Sequence, residues 1–337
     1  MRPRDVASDG PFVDAAESGP DAGQDASPPV DAAPDADAAA DAAPDGPPGC
    51  TTGAECDDGV FCNGVETCGP GHACVAGMAV VCPDDGVACT VDACDELAKT
   101  CVSSPSDALC PLSAHCDASS GCHPIIYAHD ASTLYAISVP ELEIVEIGSF
   151  GGVPITDIAL APDGTLYAVS LANLYTVDRN SGLATWLAAT SVPGANGLEI
   201  GLDGVLYAPA PPVTPILGHQ AVLYQVNVSN GALAPLTDFP PFYSSSGDVA
   251  FVAGRMLATG HGMGTAQNDS LIEVNPFTGA SKPIGSTGYP CVWGMALQTD
   301  TLYGFTCHGL VLSINPETGQ GTKLKKLTPA FLGAAAR

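Results

Sequence analysis

A nine-residue segment that recurs in the C-terminal part of the chain constrains the fold more than any other feature. Each copy alternates apolar and polar residues, then has an Asp or Asn, and ends in Gly. The closing Gly residues follow one another at 49, 48 and 40 residues, the period of a β-propeller blade. Each copy therefore predicts a strand, an Asx turn and a returning strand. The copies are LYTVDRNSG (174–182), LYQVNVSNG (223–231), LIEVNPFTG (271–279) and VLSINPETG (311–319).

Two further sets of equivalent strand-like segments, here called columns, repeat with this period. One follows tight turns such as PDG, as in GTLYAVS (164–170), and the other opens each unit, as in TDIAL (156–160) and WGMAL (293–297). The first unit lacks an opening strand, whereas the C-terminal FLGAAAR matches that column, so the last strand can close the ring. The sequence thus predicts an all-β chain in which residues 125–337 form a five-bladed propeller, with an open or six-bladed ring as the alternative.

The sequence motifs LYxVDxxxG and PDGxLYA resemble those of the NHL, YVTN and SMP-30/gluconolactonase-like propellers, and the resemblance covers nearly all of residues 125–337. The resemblance implies the fold, because these motifs specify turns. SMP-30-like enzymes hold a divalent ion with a Glu, two Asn and an Asp, and here only Asn196 matches such an Asn motif. No Glu begins an innermost strand, and neither a G-x-S-x-G motif nor a glycosidase carboxylate pair is recognisable. These departures argue against hydrolase chemistry.

Twelve of the fourteen cysteines lie in a region of tandem repeats. CDDGVFCNGVETCGPGHAC (56–74) aligns with CPDDGVACTVDACDELAKTC (82–101), and equivalent cysteines are 26 or 27 residues apart. The spacings do not suit the C-x2-C pairs of zinc sites, so we expect residues 50–124 to form a small disulfide-rich domain. The sequence leaves the pairing open for Cys50, Cys56, Cys62, Cys68, Cys74, Cys82, Cys89, Cys94, Cys101, Cys110, Cys116 and Cys122.

The pattern CDDGxFCNGxETC resembles cysteine-rich repeats of secreted and surface-anchored bacterial proteins of mostly unknown function. In both copies two aspartates precede a glycine, at Asp57-Asp58-Gly59 and at Asp84-Asp85-Gly86. Such carboxylates can bind calcium, but neither copy has the alternating ligands and closing Glu of an EF-hand loop. A solvated Asp-Gly turn is therefore favoured, and we expect no cofactor, with calcium as the alternative.

Residues 1–49 are rich in Ala, Asp and Pro and poor in large apolar side chains, which predicts a disordered acidic linker. No apolar run follows the Arg residues at the start, so no export signal is visible, yet the cysteines require an oxidising compartment. We therefore expect an extracellular or cell-surface protein whose natural chain begins upstream with a signal or lipoprotein sequence. A lipid anchor there would be its membrane contact, because no segment is long and apolar enough for a transmembrane helix.

Cys291 and Cys307 lie at equal distances from Thr299, which is the centre of the turn predicted between the first two strands of the last blade. Opposed residues of an antiparallel hairpin are about 4.5–5.5 Å apart at Cα, within disulfide reach. The sequence therefore predicts a bridge between these two cysteines.

Loop lengths indicate which face of the propeller binds a ligand. If the strands of a blade are lettered a to d from the channel outward, the a–b and c–d turns are tight, whereas the b–c and d–a connections are long and leave one face. Long loops on a rigid scaffold commonly carry binding residues. The candidate ligand-binding residues on these loops and at the channel mouth are Asp157, Asn196, His219, Phe242, Tyr243, Asp248, His261, Tyr289 and His308.

The net charge of the chain limits the kinds of partner that it can bind. With 37 acidic against 10 basic residues the net charge is −27, and without a basic face a nucleic-acid partner is excluded. We expect an exported, surface-anchored binding protein that uses the long loops to bind a protein or glycan and catalyses no reaction. The alternative is a metal-dependent propeller hydrolase or lactonase of the SMP-30-like type, which would need Asp157, Asn196 and Asp248 to converge on one ion.

Overall fold

The computed structural model describes residues 49–337 apart from Leu202, Pro215, Ile216, His219 and 263–267. The predicted linker thus lies outside the described residues except for Gly49. The chain divides into two compact units, Met1–Ala79 and Val80–Arg337. The predicted domain boundary between residues 124 and 125 falls inside the second unit and stays a prediction.

The first unit contains the first cysteine-rich copy. A 3-10 turn at Gly53–Glu55 precedes a short hairpin of β1 (Thr67–Cys68) and β2 (Cys74–Val75). Cys50 is bridged to Cys68 and Cys56 to Cys74, and Cys62 is also disulfide-bonded. Strands of two residues bury little apolar surface, so crosslinks worth about 3 kcal/mol each for loops of this length supply the stability.

The second unit begins with the second copy and its degenerate successor. The strands here are β3 (Thr90–Asp95), β4 (Thr100–Pro105) and β5 (Ala114–Asp117), with a 3-10 turn at Asp107–Leu109. The bridges are Cys82–Cys101, Cys89–Cys116 and Cys110–Cys122. Cys94 is bonded as well, and residues 49–337 contain no free cysteine. The expectation of disulfides rather than zinc ligands is confirmed, and the chain is that of an oxidising compartment.

Five antiparallel blades follow, each with four strands in chain order from the channel outward, except that blade 1 takes its inner strand from the C-terminus. Blade 1 starts with β6 (Gly121–His129), β7 (Thr133–Ser138) and β8 (Ile144–Ser149). Blade 2 has β9 (Asp157–Leu160), β10 (Leu166–Val169), β11 (Asn173–Val177) and β12 (Ala184–Ala189). Blade 3 has β13 (Glu199–Ile200), β14 (Leu206–Ala210), β15 (Val222–Val226) and β16 (Leu233–Asp238).

The last two blades have longer inner strands. Blade 4 has β17 (Tyr243–Val252), β18 (Arg255–Gly262), β19 (Ser270–Val274) and β20 (Ser281–Ser286). Blade 5 has β21 (Val292–Gln298), β22 (Thr301–Thr306), β23 (Leu310–Ile314) and β24 (Gly321–Lys326). The chain then returns to blade 1 as β25 (Gly333–Ala335).

Strand β25 closes the ring by pairing with β6, with Gly333 opposite His129. Just before it, the ring of Phe331 lies 5.9 Å from that of Phe305 in blade 5 and 5.5 Å from that of Tyr135 in blade 1, so aromatic contacts fill the seam. Five blades and closure by the C-terminal strand are confirmed, and the open and six-bladed alternatives are wrong.

The c–d hairpins have the geometry that the repeated segment predicts. In the first copy Asp178 Oδ1 accepts the N–H groups of Asn180 and Ser181 at 2.8 and 2.9 Å. Gly182 has a φ of +77° and donates its N–H to the Asp178 carbonyl at 2.8 Å. The side-chain acceptor and the left-handed glycine together reverse the chain, which is why this pattern marks the c–d hairpins of blades 2 to 5.

Candidate functional site

Asp157 and Asp248 lie on the inner strands of blades 2 and 4 and are fully buried. Asp157 accepts the N–H of the following residue at 2.9 Å and that of Leu198, just before the inner strand of blade 3, at 2.6 Å. Asp248 does the same with the following residue and with Met295 of blade 5, both at 2.7 Å. Each carboxyl group therefore connects its own inner strand to that of the next blade.

The two carboxyl groups also interact with each other inside the channel. Burial raises the pKa of both, and the negative charge of Asp157 raises that of Asp248 further. His129, also buried, lies 4.0 Å from Asp157 Oδ1, and burial lowers its pKa to about 4. A Cβ at Gly333 would collide with Asp157 Oδ1.

The expectation that Asp157 and Asp248 stand at an open channel mouth needs correction. The inner strands of the five-bladed ring lie so close together that each carboxyl group accepts a backbone N–H of the next blade. Asn196 is half-buried elsewhere, and its Nδ2 donates to the Ser245 carbonyl at 3.3 Å. Within the described ranges, the clusters of His, Cys, Asp and Glu that could hold a metal include neither Asp157 nor Asp248.

The opposite end of the channel is closed by Arg337. Its guanidinium donates to the carbonyls of Leu160 and Ile200 at 3.2 and 3.3 Å. Glu199 begins the inner strand β13, which corrects the expectation that no Glu begins an innermost strand, and it accepts the Ile200 N–H at 2.8 Å. Burial raises the pKa of Glu199 to about 8, although the charge of Arg337 acts in the opposite sense. The channel therefore carries buried acids that favour the protonated form.

The long b–c and d–a connections emerge on one side of the ring, here called the loop face. Its best-ordered polar group is the pair of His261 and Asp269, whose Nδ1 and Oδ1 are 3.3 Å apart. Asp269 is 1% exposed, its Oδ2 accepts the Val292 N–H at 2.7 Å, and burial raises its pKa. The side chain of His261 is 47% exposed. A buried carboxylate thus fixes one ring nitrogen of an accessible imidazole.

Asp269 was missed by the sequence reasoning. Its one signal was its place at the end of the long loop GHGMGTAQND (260–269), eight residues after His261. Nothing in that spacing indicates the register of β18 and β19, which pairs Gly260 with Ser270 and brings the two side chains together.

Phe242 and Tyr243 enter the loop face from the connection between blades 3 and 4. Phe242 is 58% exposed and has a φ of +68°, and its N–H donates to the Gly218 carbonyl at 2.7 Å. A left-handed backbone at a bulky residue costs on the order of 1–3 kcal/mol. Tyr243 is half-buried and pairs with Gly262 in the β17–β18 ladder, next to His261. The ladder thus places Tyr243 beside the strand that carries His261.

Tyr289 and His308 belong to the same face. The Tyr289 carbonyl accepts the Asp269 N–H at 2.8 Å, and His308 is exposed directly after Cys307. His219, the remaining candidate, lies outside the described residues. The loop face thus brings together Tyr243, His261 and Tyr289 around Asp269, whereas Asp157 and Asp248 lie inside the channel.

Cys291 and Cys307 form a disulfide with a Cα–Cα distance of 5.6 Å. The turn is centred between Thr299 and Asp300, both with positive φ, rather than on Thr299. That alone would offset the two cysteines by one residue. A bulge at Trp293 adds a residue to β21 and restores the pairing, and Cys307 N–H donates to the Cys291 carbonyl at 2.9 Å.

A concavity of about 640 Å³ lies away from the loop face, between the β5–β6 hairpin and blade 1. His115, His123, Glu146 and Arg179 are among its lining residues. Of the buried polar atoms without a partner in the described part of the chain, none lines it. We therefore assign it no ligand.

No protein-family model and no curated protein matches this chain. Among solved structures, it is similar to a nidogen/laminin complex (14% identity, 63% of this chain, 84% of that chain, TM-score 0.41). It is also similar to a gluconolactonase from Xanthomonas campestris (14%, 62% and 74%, TM-score 0.41) and to TolB from Acinetobacter baumannii (15%, 60% and 51%, TM-score 0.40). These likenesses assign neither a family nor a function. In the described residues no helix has the length and apolarity needed to cross a membrane.

Proposed function

We propose that the chain is an exported, surface-anchored binding protein whose loop face binds a protein or glycan, without catalysis. The observation that carries this proposal is Phe242, which combines an exposed ring with a left-handed backbone. Such a residue lowers the free energy of unfolding in two ways, because its φ is strained and because its apolar surface is exposed to water. A contact that buries the ring recovers part of that cost.

Its surroundings suit recognition of a partner. A tyrosine ring offers an apolar body with a polar tip, and Tyr243 and Tyr289 add this chemistry to the loop face that carries Phe242. His261, held by Asp269 at 3.3 Å, adds a polar group of fixed orientation. Binding sites typically combine such apolar contacts with a few oriented polar groups.

The anchoring part of the proposal rests on the cysteine-rich region. Its disulfides require an oxidising compartment, and its repeats resemble those of secreted and surface-anchored bacterial proteins.

The binding test compares two exposed phenylalanines on opposite faces. One variant replaces Phe242 on the loop face by Ala. The control variant replaces Phe277 by Ala; this residue is 76% exposed and lies on a c–d turn of the other face. The oxidised full chain is applied to arrays of defined glycans and to a displayed random-peptide library. We expect ligands that bind the wild type and F277A alike but lose at least about tenfold affinity, or 1.4 kcal/mol, with F242A. Equal binding by both variants, or no ligand in either collection, would contradict the proposal.

The metal-dependent hydrolase remains the alternative function. It would need a divalent ion reached by substrate, and Asp157 and Asp248 are 0% exposed, with their oxygens bonded to backbone N–H groups. Lactone or ester hydrolysis that requires a divalent ion and disappears in an Asp157→Ala, Asp248→Ala double variant would favour the enzyme over the binding protein.

A further inference from the structure

The first cysteine-rich copy holds a cluster of carboxylates that the proposed function does not use. Asp57, Asp58 and Glu66 each place an oxygen within 4.8 Å of the others. The N–H groups of Gly59 and Val60 donate to Oδ1 of Asp57 and Asp58 at 2.9 and 2.8 Å. These Asx turns are those that the Asp-Asp-Gly sequence predicts, and they hold two negative charges side by side.

Glu66 separates this cluster from an ordinary acidic turn. It is only 7% exposed, and its Oε1 is buried without any hydrogen-bond partner. A buried carboxylate without donors costs several kcal/mol, and two neighbouring aspartates increase that cost by repulsion. A bound cation offsets both contributions.

The chemistry of the donor set identifies the cation. Asn63 donates from Nδ2 to Asp58 Oδ2 at 2.8 Å, and its own Oδ1 is a second buried oxygen without a partner. Side-chain oxygens alone suit a hard cation, and calcium accepts six to eight of them in flexible geometry. We propose that the first cysteine-rich copy binds one calcium ion through Asp57, Asp58 and Glu66, with Asn63 beside them.

The second copy shows what the same fold does without an ion. Asp84, Asp85 and Asp92 also converge within 4.8 Å. There, however, the Thr90 hydroxyl donates to Asp85 at 2.8 Å and the Ser103 hydroxyl donates to Asp92. Thr90 occupies the position of Asn63 in the repeat, and each side chain donates to the second aspartate of its copy. The copies differ at the third acid, because both oxygens of Asp92 have donors, from Ser103 and from the Asp85 N–H, whereas Glu66 Oε1 has none. The ion therefore belongs to the first copy.

The test uses the full oxidised chain after removal of metals, titrated with calcium chloride by calorimetry at 0.15 M NaCl. We expect one ion per chain with a Kd of about 10⁻⁴–10⁻³ M, the range of extracellular calcium modules. Glu66→Gln, which keeps the side-chain shape, should weaken binding at least about tenfold, or 1.4 kcal/mol. Asp92→Asn, the matched change in the second copy, should leave the affinity unchanged.

Two-dimensional ¹⁵N NMR localises the ion, because the Gly59 and Val60 amides bonded to the two aspartates should shift with calcium. Without calcium, Glu66→Gln should be at least as stable as the wild type, since it removes a buried charge; an intact disulfide mass and a normal unfolding curve verify its fold. A calcium concentration of 10 mM is about tenfold above the weakest expected Kd. The absence of both binding heat and amide shifts at that concentration would overturn the proposal. So would wild-type affinity in the Glu66 variant, or equal losses in both variants.

Discussion

Raising the pH from 6.5 to 8 should destabilise the propeller through Glu199. Burial raises the pKa of this side chain to about 8 from its ordinary value of 4.5, against the opposing effect of the Arg337 charge. An acid whose pKa is raised in the native state binds its proton more tightly there than in the unfolded chain. The associated stability is complete below pH 4.5 and is lost as the pH rises towards 8.

The size of the loss follows from linkage. While the native state holds one proton more than the unfolded chain, the free energy of unfolding falls by about 1.4 kcal/mol per pH unit. Between pH 6.5 and 8, and with the slope flattening near the native pKa, the loss is about 1.5 kcal/mol, an upper value because part of the residue is exposed. The raised pKa values of Asp157 and Asp248 act in the same direction. His129, with its pKa lowered to about 4, acts in the opposite direction, but only below about 6.5.

The assay is urea unfolding of the oxidised chain at pH 6.5, 7.2 and 8.0 for the wild type, Glu199→Gln and Glu141→Gln. Glu141 is exposed and controls for a change in net charge. We expect the wild type and the Glu141 variant to lose stability together, and the Glu199 variant to lose about 1.5 kcal/mol less. Identical pH profiles for all three proteins, or a wild type that becomes more stable towards pH 8, would refute the assignment of a partly buried, protonated Glu199.

Two further predictions concern the ring. Gly333→Ala places a Cβ against Asp157 and 2.5 Å from His129 Nε2, so overpacking at the closing strand should lower the unfolding free energy by about 1–3 kcal/mol, measured by urea unfolding. Unchanged stability would mean that β25 shifts without cost. Replacing Cys291 and Cys307 together by Ala opens a loop with a sequence separation of 16, which should cost about 3 kcal/mol and lower the melting temperature seen by calorimetry. A melting temperature equal to that of the wild type would argue that the bridge does not form.

The propeller could be read from the sequence because its determinants are local. An Asx acceptor and a left-handed glycine, as in Asp178 and Gly182, specify a hairpin wherever they occur. The spacing between successive copies of this pattern gives the length of a blade. The closing strand could also be predicted, since FLGAAAR matches the column of inner strands that blade 1 lacks. Strand register was less predictable, because the bulge at Trp293 depends on how β21 packs beside its neighbours.

The candidate site was harder to predict from the sequence, because it depends on which side chains and backbone groups lie close together in the folded chain. Asp157 begins an inner strand, but only the narrow ring turns its carboxyl group to the N–H of Leu198 instead of to solvent. The contact between Asp269 and His261 likewise depends on the register of β18 and β19, which pairs Gly260 with Ser270. In the first cysteine-rich copy, the Asp-Asp-Gly turn was visible, whereas the burial of Glu66 was not.

The buried acids of this chain give the strongest reason to expect an ion at Glu66. Four acidic residues are buried among those that the structure describes. Asp157, Asp248 and Asp269 each accept an N–H from another strand or blade, at 2.6–2.7 Å. Asp157 and Asp248 also favour the protonated form, and Asp269 faces His261. Glu66 Oε1 has no such partner, and its neighbours are two more carboxylates. The chain thus compensates three of its buried acids with backbone N–H donors, and at Glu66 the proposed calcium ion is the compensating group.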